Sequence, residues 1–169
     1  MANNYLIALA LFVSCGLIQP IVAGKRSRTS FEEAPAPCSY KPHEPEAWFY
    51  KAREDLDAAE TLIAAELFPS ALFHCHQAAE KILKSYLFFK KQPSPKIHDL
   101  VELTHLCIAL NKGFKTFLPA IHTLNPLGRK YNYPSLLMNL PSEEDATQAL
   151  ETARNLEQYV LRKYCLESR

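Results

Sequence analysis

The sequence predicts an all-α protein, an up-and-down bundle of four to five helices over residues 44–169, and three observations predict it. Apolar residues recur at alternating spacings of three and four along most of that span, which gathers them on one face of a helix. No stretch of four or more residues alternates convincingly between apolar and polar with period two, so no strand is expected. Glycine occurs only 4 times, and almost all of the 12 prolines fall between periodic runs, where a missing donor costs nothing. Short connections between amphipathic helices then favour antiparallel neighbours. A chain of 169 residues holds one domain with a real core and some extra sequence.

The extra sequence is N-terminal. Residues 1–24 form an apolar segment, in which residues 5–23 carry no charge. That length suits a membrane anchor or a signal sequence. The basic residues Lys25, Arg26 and Arg28 follow the apolar run, and Met1-Ala2-Asn3-Asn4 has none. By the positive-inside rule this arrangement puts the rest of the chain in the cytoplasm behind an anchor. Secretion, with cleavage after Ile21-Val22-Ala23, and an upstream start codon that adds non-native residues are the two alternatives. Residues 25–43, rich in Pro, Ser and charge without periodicity, read as a flexible linker.

Helix one is expected over 45–67, with Phe49, Ala52, Leu56, Ala59 and Ile63 inward and Lys51–Asp55 and Arg53–Asp57 as exposed i,i+4 pairs. Helix two spans 69–91, and its inward stripe is Leu72, Cys75, Ala79, Ile82, Tyr86 and Phe89. Ala71 and Ala78 add a line of small residues beside that stripe, where another helix can come close. Helix three, 99–112, opens with Asp99 as N-cap and Glu102 three residues on, and stops at Gly113. Residues 114–124 put Phe114, Phe117, Leu118, Ile121 and Leu124 on one face, with Pro119 breaking or starting a short helix. A loop is expected over 127–141. Helix five, 142–165, begins at Ser142 and aligns Ala146, Ala149, Ala153, Leu156 and Val160.

The formal net charge of +1 says little, but its distribution is uneven. Residues 44–80 carry net −6, residues 81–130 net +7, and residues 131–169 net −2. A basic middle third suits either an anion-binding surface or solvated helix ends paired to the acidic first helix. The five cysteines form no C-x-x-C pair, and Cys75 and Cys107 lie on apolar faces as small core residues. His74 and His76 point apart on a helix and cannot share a metal, so no metal site is expected. No cofactor is implied.

Three pieces carry a resemblance. The first is the run His76-Gln77-Ala78-Ala79-Glu80-Lys81-Ile82-Leu83-Lys84-Ser85-Tyr86-Leu87. The second is His98-Asp99-Leu100, and the third is Arg129-Lys130-Tyr131-Asn132-Tyr133-Pro134. Together, in this order and from about Glu44 to Tyr164, they resemble the HEPN family of small helical domains. That family shows a Gln-Ala-Ala-Glu-Lys helix, a His-Asp-Leu helix start and an Arg-x-x-x-Tyr-Pro or Arg-Tyr-Pro loop. The resemblance implies an intracellular helical bundle that pairs as a homodimer.

The third piece is the leading candidate site. Arg129, Lys130, Tyr131 and Tyr133 combine cations with rings, the mixture that binds phosphate and stacks on a base. Gln77, Lys81 and Lys84 fall at i, i+4 and i+7 on one helix edge and are candidate co-ligands. The competing structural reading makes Arg129 a salt-bridge residue, Tyr133-Pro134 a cap on the bundle, and the helix edge an ordinary solvated one. His98 reads as a neutral structural residue beside a helix N-terminus.

Many HEPN domains are ribonucleases with an Arg and a His separated by four to six residues. Attack by a 2′-hydroxyl without a metal needs proton transfer near neutral pH, the task of an imidazole. Counted from Arg129, the His positions hold Pro134, Ser135 and Leu136, and no histidine follows His122. Tyr131 or Tyr133, with an ordinary pKa of about 10, would be a poor base. No catalytic residue is therefore assigned. The branch that the chain resembles is the one with a Tyr-Pro loop, associated with nucleotide or RNA binding beside a minimal nucleotidyltransferase partner in toxin–antitoxin-like or defence pairs. A metal-independent ribonuclease with a degenerate site and a purely structural dimerisation module remain as alternatives.

Overall fold

The computed structural model describes residues 45–93, 95–130 and 140–167; the side chains of Arg129 and Glu167 lie outside that description. Among these residues the chain forms α1 (Pro45–Ala64), α2 (Phe68–Phe89), α3 (Leu100–Leu110), a 3-10 segment η1 (Lys112–Phe117), α4 (Leu118–Lys130) and α5 (Glu143–Glu167). No strand occurs among them. The expected boundaries at 24 and 43, the anchor reading of residues 5–23 and the loop residues 131–139 fall outside the description. No described helix is long and apolar enough to cross a membrane.

Helix α2 is the hub. Its predicted stripe Leu72, Cys75, Ala79, Ile82 and Tyr86 is buried, and Phe89 is partly buried against the same core. Burying a Leu or Ile side chain stabilises by about 1.5–3 kcal/mol, so this stripe and its partners supply much of the cohesion. From α1 it meets Phe49, Ala52, Leu56 and Ala59, all buried, whereas Ile63 is half-exposed. From α5 it meets Ala149, Leu156 and Val160, with Ala146 and Ala153 also buried. Ala71 and Ala78 do not await an outside helix. Ala78 packs with Leu56 of α1 and Ala153 of α5, so its small side chain admits helices of the same chain.

The ends of the helices have identifiable causes. Helices α1 and α2 stop earlier than their sequence suggests, at Ala64 and Phe89. After each, a non-glycine residue takes a left-handed conformation, Glu66 at φ 59° and Lys91 at φ 56°. Leu67 N–H then donates to Leu62 O (2.8 Å) and Gln92 N–H to Leu87 O (2.9 Å), closing two Schellman-type ends. Helix α3 starts as expected, with Asp99 accepting from Glu102 N at 3.0 Å. It ends at Leu110 rather than Gly113, because Asn111 turns the chain and accepts from Gly113 N. At the start of α5, Ser142 Oγ accepts from Asp145 N (3.1 Å) while Asp145 accepts from Ser142 N (2.8 Å). That backbone donation, with the Ser142 hydroxyl's, holds the Asp145 carboxyl below its usual range.

Three expectations need correction. The expected loop over 127–141 begins later, since α4 runs unbroken through Pro126 and Gly128 to Lys130. The pairs Lys51–Asp55 and Arg53–Asp57 do not form. Lys51 pairs with Glu54, Arg53 reaches Glu157 on α5 at 2.8 Å, and Asp55 turns to α2. The edge assigned to Gln77, Lys81 and Lys84 is not uniformly solvated, for Lys84 is buried.

Candidate functional site

The C-terminal turn of α4 is held in place from two sides. Asn125 Oδ1 accepts from Leu100 N (2.9 Å) and its Nδ2 donates to Asp99 Oδ2 (2.8 Å), which ties α4 to the start of α3. On the other side Gly128 presses on α2: a Cβ there would lie 2.1 Å from His76 Cβ. Only glycine permits that approach, and His76 is buried beneath it. Arg129 occupies the helix position one turn after Asn125, and Lys130 closes the helix with an exposed side chain. The Lys130 charge also helps to lower the Asp145 carboxyl, so the ammonium lies near the start of α5. Tyr131 and Tyr133 lie outside the described residues.

The co-ligand candidates on α2 divide. Lys81 donates to Asp55 of α1 and, at 3.5 Å, to Gln77 Oε1; the other Asp55 oxygen meets His74 Nδ1 at 3.0 Å. Lys84 donates to Glu80 Oε1 at 2.9 Å and lies 5.6 Å from the centre of the Trp48 ring. Glu80 Oε1 also meets His98 Nδ1 at 3.0 Å, and its Oε2 is buried with no hydrogen-bond partner. The structure thus brings Gln77 and Lys81 together, and commits both lysines to carboxylates. Neither ammonium is left uncompensated for an anion. His98 is largely exposed and sits on the Glu80 carboxylate, which gives the residue its structural place.

Asp55, Glu80, Asn125 and Trp48 were not assigned to the site by sequence. Each acts across helices, and a helical spacing says which residues share a face but not which carboxylate the next helix supplies. Gly128 fell in the expected loop, and only its place inside α4 marks it as a point of close approach. Among the described residues a shallow groove of about 30 Å³ separates α4 from α5, lined by Leu124, Leu127, Asp145, Gln148, Ala149 and Thr152. That volume suits a water molecule or two rather than a nucleobase. No group of three His, Cys, Asp or Glu that could hold a metal occurs among the described residues. The buried thiols Cys75 and Cys107 are pushed up to about 12 by desolvation and have no nucleophilic character at neutral pH.

The arrangement is an all-α bundle with α2 at its centre, and solved structures share it. TT1696 from Thermus thermophilus matches with a TM-score of 0.61 at 22% identity, covering 70% of this chain and 97% of that one. ST0689, described as an archaeal HEPN homologue, matches with a TM-score of 0.56 at 23% identity, covering 70% and 95%. At such identity the likeness shows the fold. The sequence model of the HEPN domain matches residues 45–164, most of the chain, and the protein belongs to that family. No curated protein matches it.

Proposed function

We propose that this HEPN-domain protein binds a nucleotide or RNA through the end of α4 and the residues that follow it, with Arg129 as phosphate anchor, Lys130 as a second cation and Tyr131 or Tyr133 as stacking surface. In this reading it works as a homodimer beside a minimal nucleotidyltransferase partner in a toxin–antitoxin-like pair. The supporting observation is the double fastening of the α4 end, by the Asn125–Asp99 clasp and the Gly128–His76 contact. A turn fixed in this way presents its next residues with little ordering cost on binding. Lys81 and Lys84 take no first part in it, because a phosphate would have to displace Asp55 or Glu80 from them.

The test is titration of the full chain and of Arg129→Ala with labelled mononucleotides and RNA. Loss of one charge-assisted contact, about 1.5–3 kcal/mol, lowers affinity roughly ten- to a hundredfold while the melting temperature stays nearly unchanged. Loss of folding, with no binding measurable in the wild type, would identify Arg129 as a structural residue instead. Incubation of the wild-type protein with RNA in EDTA leaves the RNA intact. Cleavage that disappears in Arg129→Ala would establish the ribonuclease reading.

A further inference from the structure

The basic middle third of the sequence is not one surface. Lys81 and Lys84 are paired internally, and Lys130 ends α4 beside α5. Lys90, Lys91, Lys112 and Lys115 go to a different place, the end of the bundle where α2, α3 and α5 all terminate. There a row of rings joins the elements. Tyr86 of α2 lies 4.6 Å from Phe114 of η1, Phe114 lies 4.9 Å from Tyr159 of α5, and Tyr159 lies 5.3 Å from Phe117. Cations sit over two of these rings: Lys90 Nζ is 5.8 Å from the Tyr86 ring centre and Lys163 Nζ is 5.1 Å from that of Tyr159. Gly113 fixes the register, since a Cβ there would lie 2.0 Å from the Tyr159 hydroxyl, which donates to Asn111 Oδ1.

The charge at this end is in excess. Elsewhere Lys51, Arg53, Lys81, Lys84 and Arg154 each meet a carboxylate. Among the described residues Lys91, Lys112, Lys115, Arg162 and Lys163 form no ion pair. Lys91, Lys112, Lys115 and Arg162 are exposed. Helix C-termini attract cations, but each holds only about −0.5 charge, so three of them compensate a minority of these five cations. Glu46, in the first turn of α1, and Glu167, the last residue of α5, bring two acidic residues to the same end. Phe89, Phe117 and Tyr159 are half-buried, so part of each residue stays accessible at this end.

We propose that this end of the bundle, formed by Lys91, Lys112, Lys115, Arg162 and Lys163 around the half-buried rings, is a docking surface for a single-stranded polynucleotide. Phosphates meet the ammonium groups and guanidinium, and bases stack on the accessible parts of the ring faces, the combination that holds single strands without reading sequence. The surface is separate from the Arg129 turn, and neither reading requires the other.

The experiment is fluorescence anisotropy of the full chain with a labelled oligouridylate over a range of salt, for wild type and for Lys112→Glu/Lys115→Glu. Both residues are exposed, and circular dichroism checks that the variant keeps its fold. Affinity is expected to fall at least tenfold, and the slope of log K against log salt to become shallower by about 1.4, two single-strand contacts at about 0.7 each. Arg162→Ala/Lys163→Ala should lower affinity in the same direction. Repeating the pair of measurements in an Arg129→Ala background separates the two surfaces, since the loss belongs to this end alone. Unchanged affinity and slope in the folded variant overturn the proposal. So does lysine-dependent binding to phosphatidylserine vesicles in place of the oligonucleotide, which would make the surface a membrane contact.

Discussion

Lys81 and Lys84 stand one turn apart on α2, each bonded to a carboxylate, and they teach different things because they differ in depth. The Glu80–Lys84 side chains are 6% and 5% exposed, whereas Asp55 and Lys81 are 14% and 23% exposed. Attraction between charges grows as water is excluded, but so does the cost of stripping water from each of them. The deep pair therefore adds little net stability over an apolar pair of the same size, yet neither member tolerates loss of the other. The shallower pair can trade partners with solvent, and Asp55 already divides its oxygens between Lys81 and His74.

The comparison breaks most visibly at Lys84. Lys84→Met leaves the buried Glu80 carboxylate with only His98 as partner and is expected to cost about 3 kcal/mol in urea unfolding. Glu80→Leu/Lys84→Met should recover most of that loss, and a double variant as weak as the single one would show that geometry rather than charge is at stake. Next in size is Gly128→Ala, which acts on the same helix α2 at His76. Its new methyl meets His76, so the α4 end must shift, at about 1–3 kcal/mol. A thermal melt reads this, and an unchanged melting temperature would mean that the α4 end is loosely held. The smallest change is Asp55→Asn, at about 1 kcal/mol, since water reaches both of its partners. A loss at Asp55 equal to that at Lys84 would erase the distinction of depth.

The fold was largely legible because its signal is periodic. The stripes of α1, α2 and α5 read correctly at Leu56, Ala79 and Leu156, and the caps at Asp99 and Ser142 announced their helices. What sequence missed was tertiary. Glu66 and Lys91 end helices in a conformation usually left to glycine, so nothing local marked those stops. A loop was expected from residue 127, yet Ile121 and Leu124 are buried and Asn125 is clasped, which carries the helix through. Spacing placed Lys84 on a polar edge but could not tell its depth, because Trp48 and His98 arrive from far along the chain. At the candidate site, the sequence named Arg129 and Lys130 but not the contacts that hold their helix.

The contact of Ala78 with both Leu56 and Ala153 has a consequence for synthesis. Helix α5 leaves the ribosome after the other described helices, and until it arrives α1 and α2 are paired with one side of that seam open. The alanine that lets α5 settle so closely also leaves the unfinished chain with a shallow apolar furrow and no bulky residue to fill it. A nascent chain still lacking residues 143–167 thus carries an unfilled slot shaped for one helix, and its quality control depends on how quickly those 25 residues follow.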